Sequence, residues 1–129
     1  MHVDASAMVA IILHEEDREA LAGRLEVANE RSTSPVAVLE VIMAIARETG
    51  DRSAALPAVR KFLELAEISV AEIGADLVDD LAEAFVRYGK GSKSRARLNL
   101  GDCFSYAMAK KAGVPLLYKG SDFSFTDLG

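Results

Sequence analysis

The sequence predicts an α/β domain with a mostly parallel sheet. Three observations carry that expectation: short apolar runs alternate with amphipathic helical segments, helix start and stop residues stand between them, and no repeat or low-complexity tract breaks the order. With 129 residues, half of them apolar and 27% charged, the chain suits one globular domain over residues 1–129 with a substantial core. Met1-His2-Val3-Asp4 is an apolar strand ending in a carboxylate, and the apolar segment from Ala5 to Leu13 turns directly into a helix. Residues 15–28 place Ala20, Leu21, Leu25 and Ala28 on one face, as a surface helix does. Ser34 caps the next helix with Pro35 in its first turn, and Gly50 ends it.

From Asp51 to Glu67 the spacing is again helical, with Pro57 expected to mark a kink or a restart because it lacks an N–H donor. Ile68 to Ile73 alternates as a strand would. Asp76 to Tyr88 returns to helical spacing through Leu77, Leu81, Ala84, Phe85 and Tyr88. A Gly, Ser and cation-rich stretch, 89–99, then leads into a helix from Leu100 to about Lys111, closed by Gly113. Val114 to Tyr118 is the last strand. In parallel sheets ligands gather beyond the carboxyl ends of the strands, which makes polar residues at those ends the first candidates for chemistry.

Cys103 is the sole cysteine, so no internal disulfide forms, and a cytoplasmic setting is expected. The longest apolar stretch, Val36 to Ala46, contains Glu40 and is far shorter than the ~20 residues of a membrane helix; no membrane partner is expected. The amino terminus lacks the cationic region of a signal peptide. Net charge is −5, but it is segregated. Residues 1–83 hold 17 acids and 7 bases, whereas residues 84–129 hold 3 acids and 8 bases. No acid lies between Ala84 and Gly101, an interval that carries Arg87, Lys90, Lys93, Arg95 and Arg97. A run of this kind is either a solvated loop or a polyanion-binding patch.

Three carboxylates stand where solvation alone does not place them. Asp4 follows a buried strand, Glu40 sits on an apolar helix face beside Val36, Ala37, Met43 and Ala44, and Asp102 opens a helix. A fourth, Asp122, lies in the turn after the last strand. Asp4 and Asp102 can each serve as a helix cap, and Asp122 as a turn residue. Glu40 needs a partner or a metal if it is buried. Convergence of these four at one sheet end would concentrate negative charge, for which a divalent cation is the natural compensation, and hard oxygen ligands select Mg²⁺ or Mn²⁺ over Zn²⁺. His2 and His14 are separated by a helical segment, and there is no Cys-x-x-Cys, Walker A or Gly-x-Gly-x-x-Gly motif. Zinc and nucleotide cofactors are therefore not expected.

The segments Val3-Asp4-Ala5-Ser6-Ala7, Glu40 in its helix, Tyr88-Gly89-Lys90-Gly91, Leu98-Asn99-Leu100-Gly101-Asp102-Cys103-Phe104-Ser105-Tyr106-Ala107 and Leu116-Leu117-Tyr118-Lys119-Gly120-Ser121-Asp122-Phe123 together resemble the PIN-domain ribonucleases of the VapC toxin family. The resemblance spans the chain. It implies a three-layer α/β/α sandwich with a central parallel sheet and an acidic Mg²⁺ site (Mn²⁺ being an alternative) that hydrolyses RNA phosphodiesters. By position, Asp4, Glu40 and Asp102 match the family's three core acids, Asp122 the more variable fourth, and Ser6 the small hydroxyl residue near the metal. Where family members often carry Phe-Lys-Gly before the last acid, this chain has Tyr118-Lys119-Gly120. The resemblance also implies a homodimer, a VapB-type antitoxin, and operator DNA reached only through the antitoxin complex.

On this reading Asp4 and Asp102 are direct ligands. Glu40 and Asp122 complete the site directly, through water, or by orienting the attacking water. Arg87, Lys90, Lys93, Arg95 and Arg97 then hold RNA phosphates beside the acids. Two other functions fit parts of the sequence. An aspartyl phosphotransferase would use Asp4 as nucleophile, but Ser6 stands where such enzymes carry a second acid. A non-catalytic PIN-like RNA-binding or protein-interaction module would keep the fold without cutting RNA, and the intact acids argue against it.

Overall fold

A computed structural model describes all 129 residues. Four two-residue strands, β1 (His2–Val3), β2 (Ser32–Thr33), β3 (Ser69–Val70) and β4 (Leu116–Leu117), form one parallel sheet in the order β3-β2-β1-β4. Six helices connect them: α1 (Ala5–Ile12), α2 (Arg18–Glu26), α3 (Pro35–Thr49), α4 (Arg52–Leu65), α5 (Val78–Tyr88) and α6 (Leu100–Ala112). Short 3₁₀ turns cover Ala75–Leu77 and Asp122–Phe125.

Side chains alternate across a strand, so the sheet feeds two cores. Val3 and Leu117 pack with residues of α1 to α4, including Met8, Leu21, Val41 and Val59. Leu116 packs with Ala84 and Tyr88 of α5 and with Cys103, Tyr106 and Ala109 of α6. The sheet is thus covered on both faces, the architecture expected of an α/β chain. The chain runs outward from β1 through β2 to β3 and then returns to β4 on the other side of β1. That reversal falls between β1 and β4, and in such sheets ligands collect beyond the carboxyl ends of the strands at this point.

The local signals explain the helix boundaries. Ser34 accepts the Ala37 N–H at 3.0 Å with Pro35 beginning α3, and Gly50 ends the helix at φ 71°. Gly113 closes α6 in the same left-handed conformation. Asp51 caps α4, accepting the Ala54 N–H at 3.1 Å. Pro57 lies inside α4, which continues through it as one helix from Arg52 to Leu65, so the chain does not restart there. The carbonyl it leaves without a donor belongs to Ser53, and both residues lie on the exposed face of the helix, open to solvent.

The strands are shorter than the sequence patterns suggested. The alternating run Ile68 to Ile73 yields only β3, and Val114 to Tyr118 only β4. For β3 the reason is its sole partner. β2 ends where Ser34 begins α3, so the Ala71 N–H to Thr33 carbonyl bond at 2.8 Å is the last that β2 can offer.

Arg31 ties this half of the fold together. Its guanidinium donates to the Ala66 carbonyl at 2.7 Å, the Glu26 carbonyl at 3.0 Å and the Ala28 carbonyl at 3.2 Å. Glu26 is the last residue of α2 and Ala66 the C-cap of α4, where the helix dipoles are negative, while Ala28 follows the C-cap of α2. Lysine has no planar fork with which to serve three carbonyls at once. Arg31→Lys is expected to lower folding stability by about 1–3 kcal/mol, measured by urea denaturation; an unchanged midpoint would show that the three bonds contribute nothing net.

Candidate active site at the carboxyl ends of the strands

Asp4 is the first residue after β1 and the N-cap of α1. It is buried, and both of its carboxylate oxygens are hydrogen-bonded. Oδ2 accepts from the Ser6 N–H at 3.0 Å and from the Ser6 hydroxyl at 2.5 Å, while Oδ1 accepts from the Ser105 hydroxyl at 2.5 Å. Ser6 in turn accepts the Lys119 N–H at 3.0 Å, which ties the turn after β4 to the start of α1. Capping and site-building are therefore compatible roles for Asp4.

Asp102 forms a reciprocal capping box with Asn99. The Asp102 N–H donates to Asn99 Oδ1 at 2.9 Å and the Asn99 N–H to Asp102 Oδ2 at 3.1 Å. This leaves Asp102 Oδ1 without a protein hydrogen bond and fixes the carboxyl at the head of α6. Glu40, half-buried on α3, has no hydrogen-bond donor in the chain and lies against Gly101, where a Cβ would collide with both of its carboxylate oxygens. A side chain at 101 would push the Glu40 carboxylate away from the start of α6.

The electrostatics show that these acids sense one another. Burial, reinforced by Asp4 and then Asp102, pushes the Glu40 carboxyl up to about 7. Burial also pushes Asp102 up to about 6; the Asn99 hydrogen bond and Lys90 oppose the rise, while Asp4 and Asp122 add to it. Asp122 is exposed at the first position of the last 3₁₀ turn and acts on Asp102 from the rim. The four sequence-predicted acids are thus drawn toward one end of the sheet, three within mutual influence and Asp122 at the margin. They are not closed into a coordination cluster, since no three His, Cys, Asp or Glu side chains stand at the spacing of a formed metal site. The donor set consists of hard oxygens under mutual repulsion, and its chemistry fits Mg²⁺ or Mn²⁺.

Two members of this arrangement are absent from the sequence-level candidate set: Ser105 and Gly101. The available signal was spacing, because Ser105 lies one turn after Asp102 on the same helix face.

The cations divide. Arg87 is engaged elsewhere: it pairs with Glu83 at 3.7 Å and Asp127 at 3.8 Å and donates to the Tyr88 hydroxyl at 2.8 Å. Lys90, Lys93, Arg95 and Arg97 are exposed and pair with no acid within ion-pair distance. The Arg95 guanidinium lies 4.5 Å from the centroid of the Phe125 ring. Their loop is pinned at its base, with the Lys90 N–H donating to the Leu98 carbonyl at 3.0 Å and the Leu98 N–H to the Tyr88 carbonyl at 2.8 Å. Lys90 is close enough to Asp102 to oppose the rise in its pKa, and Lys93, Arg95 and Arg97 add exposed positive charge along the same loop.

Known proteins share both the sequence and the fold. Residues 1–127 match the PIN domain family model. A protein named Ribonuclease VapC from Mycolicibacterium smegmatis is 40% identical over 131 residues, an alignment covering 99% of this chain and 97% of that one. Ribonuclease VapC42 of Mycobacterium tuberculosis is 40% identical, with 99% and 96% covered. The crystal structure of Mycobacterium tuberculosis VapC20, described as a sarcin-ricin loop cleaving toxin, superposes with a TM-score of 0.72 at 25% identity, covering 95% of this chain and 92% of that one.

The raised Glu40 pKa has a measurable cost. The folded state holds that proton more tightly than the unfolded chain, so stability from protonated Glu40 is present at pH 4.5 and below and is lost as pH rises through about 7. In EDTA, Glu40→Gln is expected to be more stable than wild type at pH 8, by about 1 kcal/mol after solvent screening of a half-exposed group. The gain should shrink at pH 5. Thermal denaturation at both pH values checks it, and equal differences would contradict the cause given.

Proposed function

The chain belongs to the VapC ribonucleases of the PIN-domain family, and from that premise we propose that it cuts RNA at the acidic crevice, with Asp4, Glu40 and Asp102 as the core acids and Asp122 at the rim. It is a PIN-domain toxin endoribonuclease, with RNA as substrate and a VapB-type antitoxin as partner. The observation that carries the site reading is the mutual electrostatic influence of Asp4, Glu40 and Asp102 at the one sheet end where the topology opens. We assign Mg²⁺ as the working ion, with Mn²⁺ as its substitute. Asp4 and Asp102 would hold it directly, and Glu40 and Asp122 directly or through water. A divalent cation supplies positive charge to the phosphate oxygens and activates the attacking water.

The chain's own residues do the rest. Hydrolysis forms one P–O bond to the water oxygen and breaks one to the leaving ribose oxygen; a carboxylate takes the proton that the water sheds, and the leaving oxygen takes a proton from solvent water, the carboxylate returning its own to solvent. Glu40 suits the proton-accepting or water-orienting role because its oxygens make no hydrogen bond in the chain. Lys90, at the edge of the acids, and Lys93, Arg95 and Arg97 beyond it hold the phosphates of the strand. Arg87 belongs to this patch only through its place in the loop's supporting helix. Asp4 is kept in place by Ser6.

A homodimer is supported by exposed apolar side chains on α3 and α5, Leu39, Met43, Val78 and Phe85 among them. Operator DNA would be reached only through the antitoxin complex. No helix is long and apolar enough to cross a membrane, and a cytoplasmic setting suits an RNA substrate. The whole of residues 1–129 acts as one PIN domain.

The test is cleavage of total cellular RNA by purified, antitoxin-free protein. Discrete products are expected with Mg²⁺ or Mn²⁺ and none in EDTA. Asp102→Asn should remain folded and lose at least on the order of 100-fold in rate; normal cutting by that variant would remove Asp102 from the site. Equal inertness of metal-loaded wild type and variant would favour a binding module. Neutralising Lys93, Arg95 and Arg97 together should weaken RNA binding and lower the slope of log affinity against log salt by up to about 2, at roughly 0.7 per phosphate lost. An unchanged slope would return the loop to simple solvation.

A further inference from the structure

We infer that Ser105 is a positioning residue for the metal site, setting which oxygen of Asp4 faces the cation; this rests on the site reading above. A serine in mid-helix ordinarily bonds back to the carbonyl four residues earlier. Ser105, only 1% exposed, instead reaches across 101 positions in sequence to Asp4 Oδ1 at 2.5 Å.

The lone pairs of Asp4 can be counted. A carboxylate offers about four acceptor positions, two on each oxygen. Oδ2 uses both of its own, for the Ser6 N–H and the Ser6 hydroxyl. Ser6 is itself oriented, because it receives the Lys119 N–H and so turns its own proton toward Asp4. Oδ1 uses one position for Ser105 and keeps one. The hydrogen bonds therefore leave Oδ1 as the single oxygen of Asp4 with capacity for a ligand bond. Ser105 sets the rotation of the carboxyl about its axis and so the direction of that lone pair.

Ser105 also couples two elements. It stands one helical turn beyond Asp102 on α6, so its bond to Asp4 fixes the end of β1 relative to the head of the helix that carries Asp102. Without it, Asp4 could rotate about its remaining anchor at Ser6, and the two carboxylates would lose their registration. Outer-shell partners of this kind commonly govern 10- to 100-fold in metal affinity.

Mn²⁺ binding to the metal-free full chain, followed by water-proton relaxation, reads this without reference to catalysis. Ser105→Ala is expected to keep the wild-type circular dichroism spectrum and to raise the Mn²⁺ dissociation constant about tenfold or more. Ser105→Thr, which restores the hydroxyl, should recover most of the affinity. Asp4→Asn serves as the reference. If Asp4→Asn loses Mn²⁺ while Ser105→Ala binds it as wild type does, the role of Ser105 is overturned and the carboxylate site stands. If Asp4→Asn also binds as wild type does, the cation is held elsewhere and both readings fall.

Discussion

The arrangement of this molecule's acidic end depends on burying the Asp4 carboxylate at the tip of the central strand. A charge taken out of water is costly unless hydrogen bonds replace its hydration. The chain supplies those bonds from two directions, Ser6 from the helix that Asp4 itself begins and Ser105 from a helix formed a hundred residues later. The bonds hold the first acid, and the acids around it inherit their environment from that placement. Glu40 and Asp102 are raised in pKa by burial first and by Asp4 next among the charged neighbours that raise them. The fold thus stores electrostatic repulsion at one spot, and a cation bound there would release it.

The remainder of the architecture serves to make such storage tolerable. Two apolar clusters, one on each face of a sheet whose strands are only two residues long, carry the stability. Because the strands are so short, side-chain and helix-terminus bonds take over part of the task that sheet hydrogen bonds perform in larger α/β proteins. Arg31 closing the ends of α2 and α4 is one example, and the Thr33 hydroxyl donating to the Val3 carbonyl at 2.8 Å is another. His2 shows the opposing side of this economy. It is buried in β1 with its Nε2 unpartnered, and burial pushes its pKa down to about 4 despite the nearby Asp4. Burial thus favours the uncharged imidazole two residues before the Asp4 carboxylate.

Much of this was readable in the residues. The order of elements, the Ser34-Pro35 start of α3, the Gly50 and Gly113 stops and the oddity of Glu40 on an apolar face are all local signals, set by backbone chemistry within a few positions. The unread parts depend on distant partners. β3 stops early because β2 turns into a helix, which no pattern within 68–73 reveals. Arg87 looks like one more cation in a basic run, yet Asp127, forty residues on, takes up its charge. Ser105 sits among small residues and reads as packing; only the folded arrangement shows it beside Asp4. The grouping of Asp4, Glu40 and Asp102 was legible as an expectation from chemistry and family likeness together, while the capping box at Asp102 and the tight approach of Glu40 to Gly101 belong to the three-dimensional structure alone.

The loop between α5 and α6 is fastened where it leaves Tyr88 and where it rejoins at Leu98, and neither fastening uses a carboxylate of the crevice. Its closure cost therefore changes slowly with the number of residues it contains. Evolution can lengthen, shorten or recharge this segment while the acids stay in register. Such a scaffold separates a segment free to vary from the backbone that holds its acids.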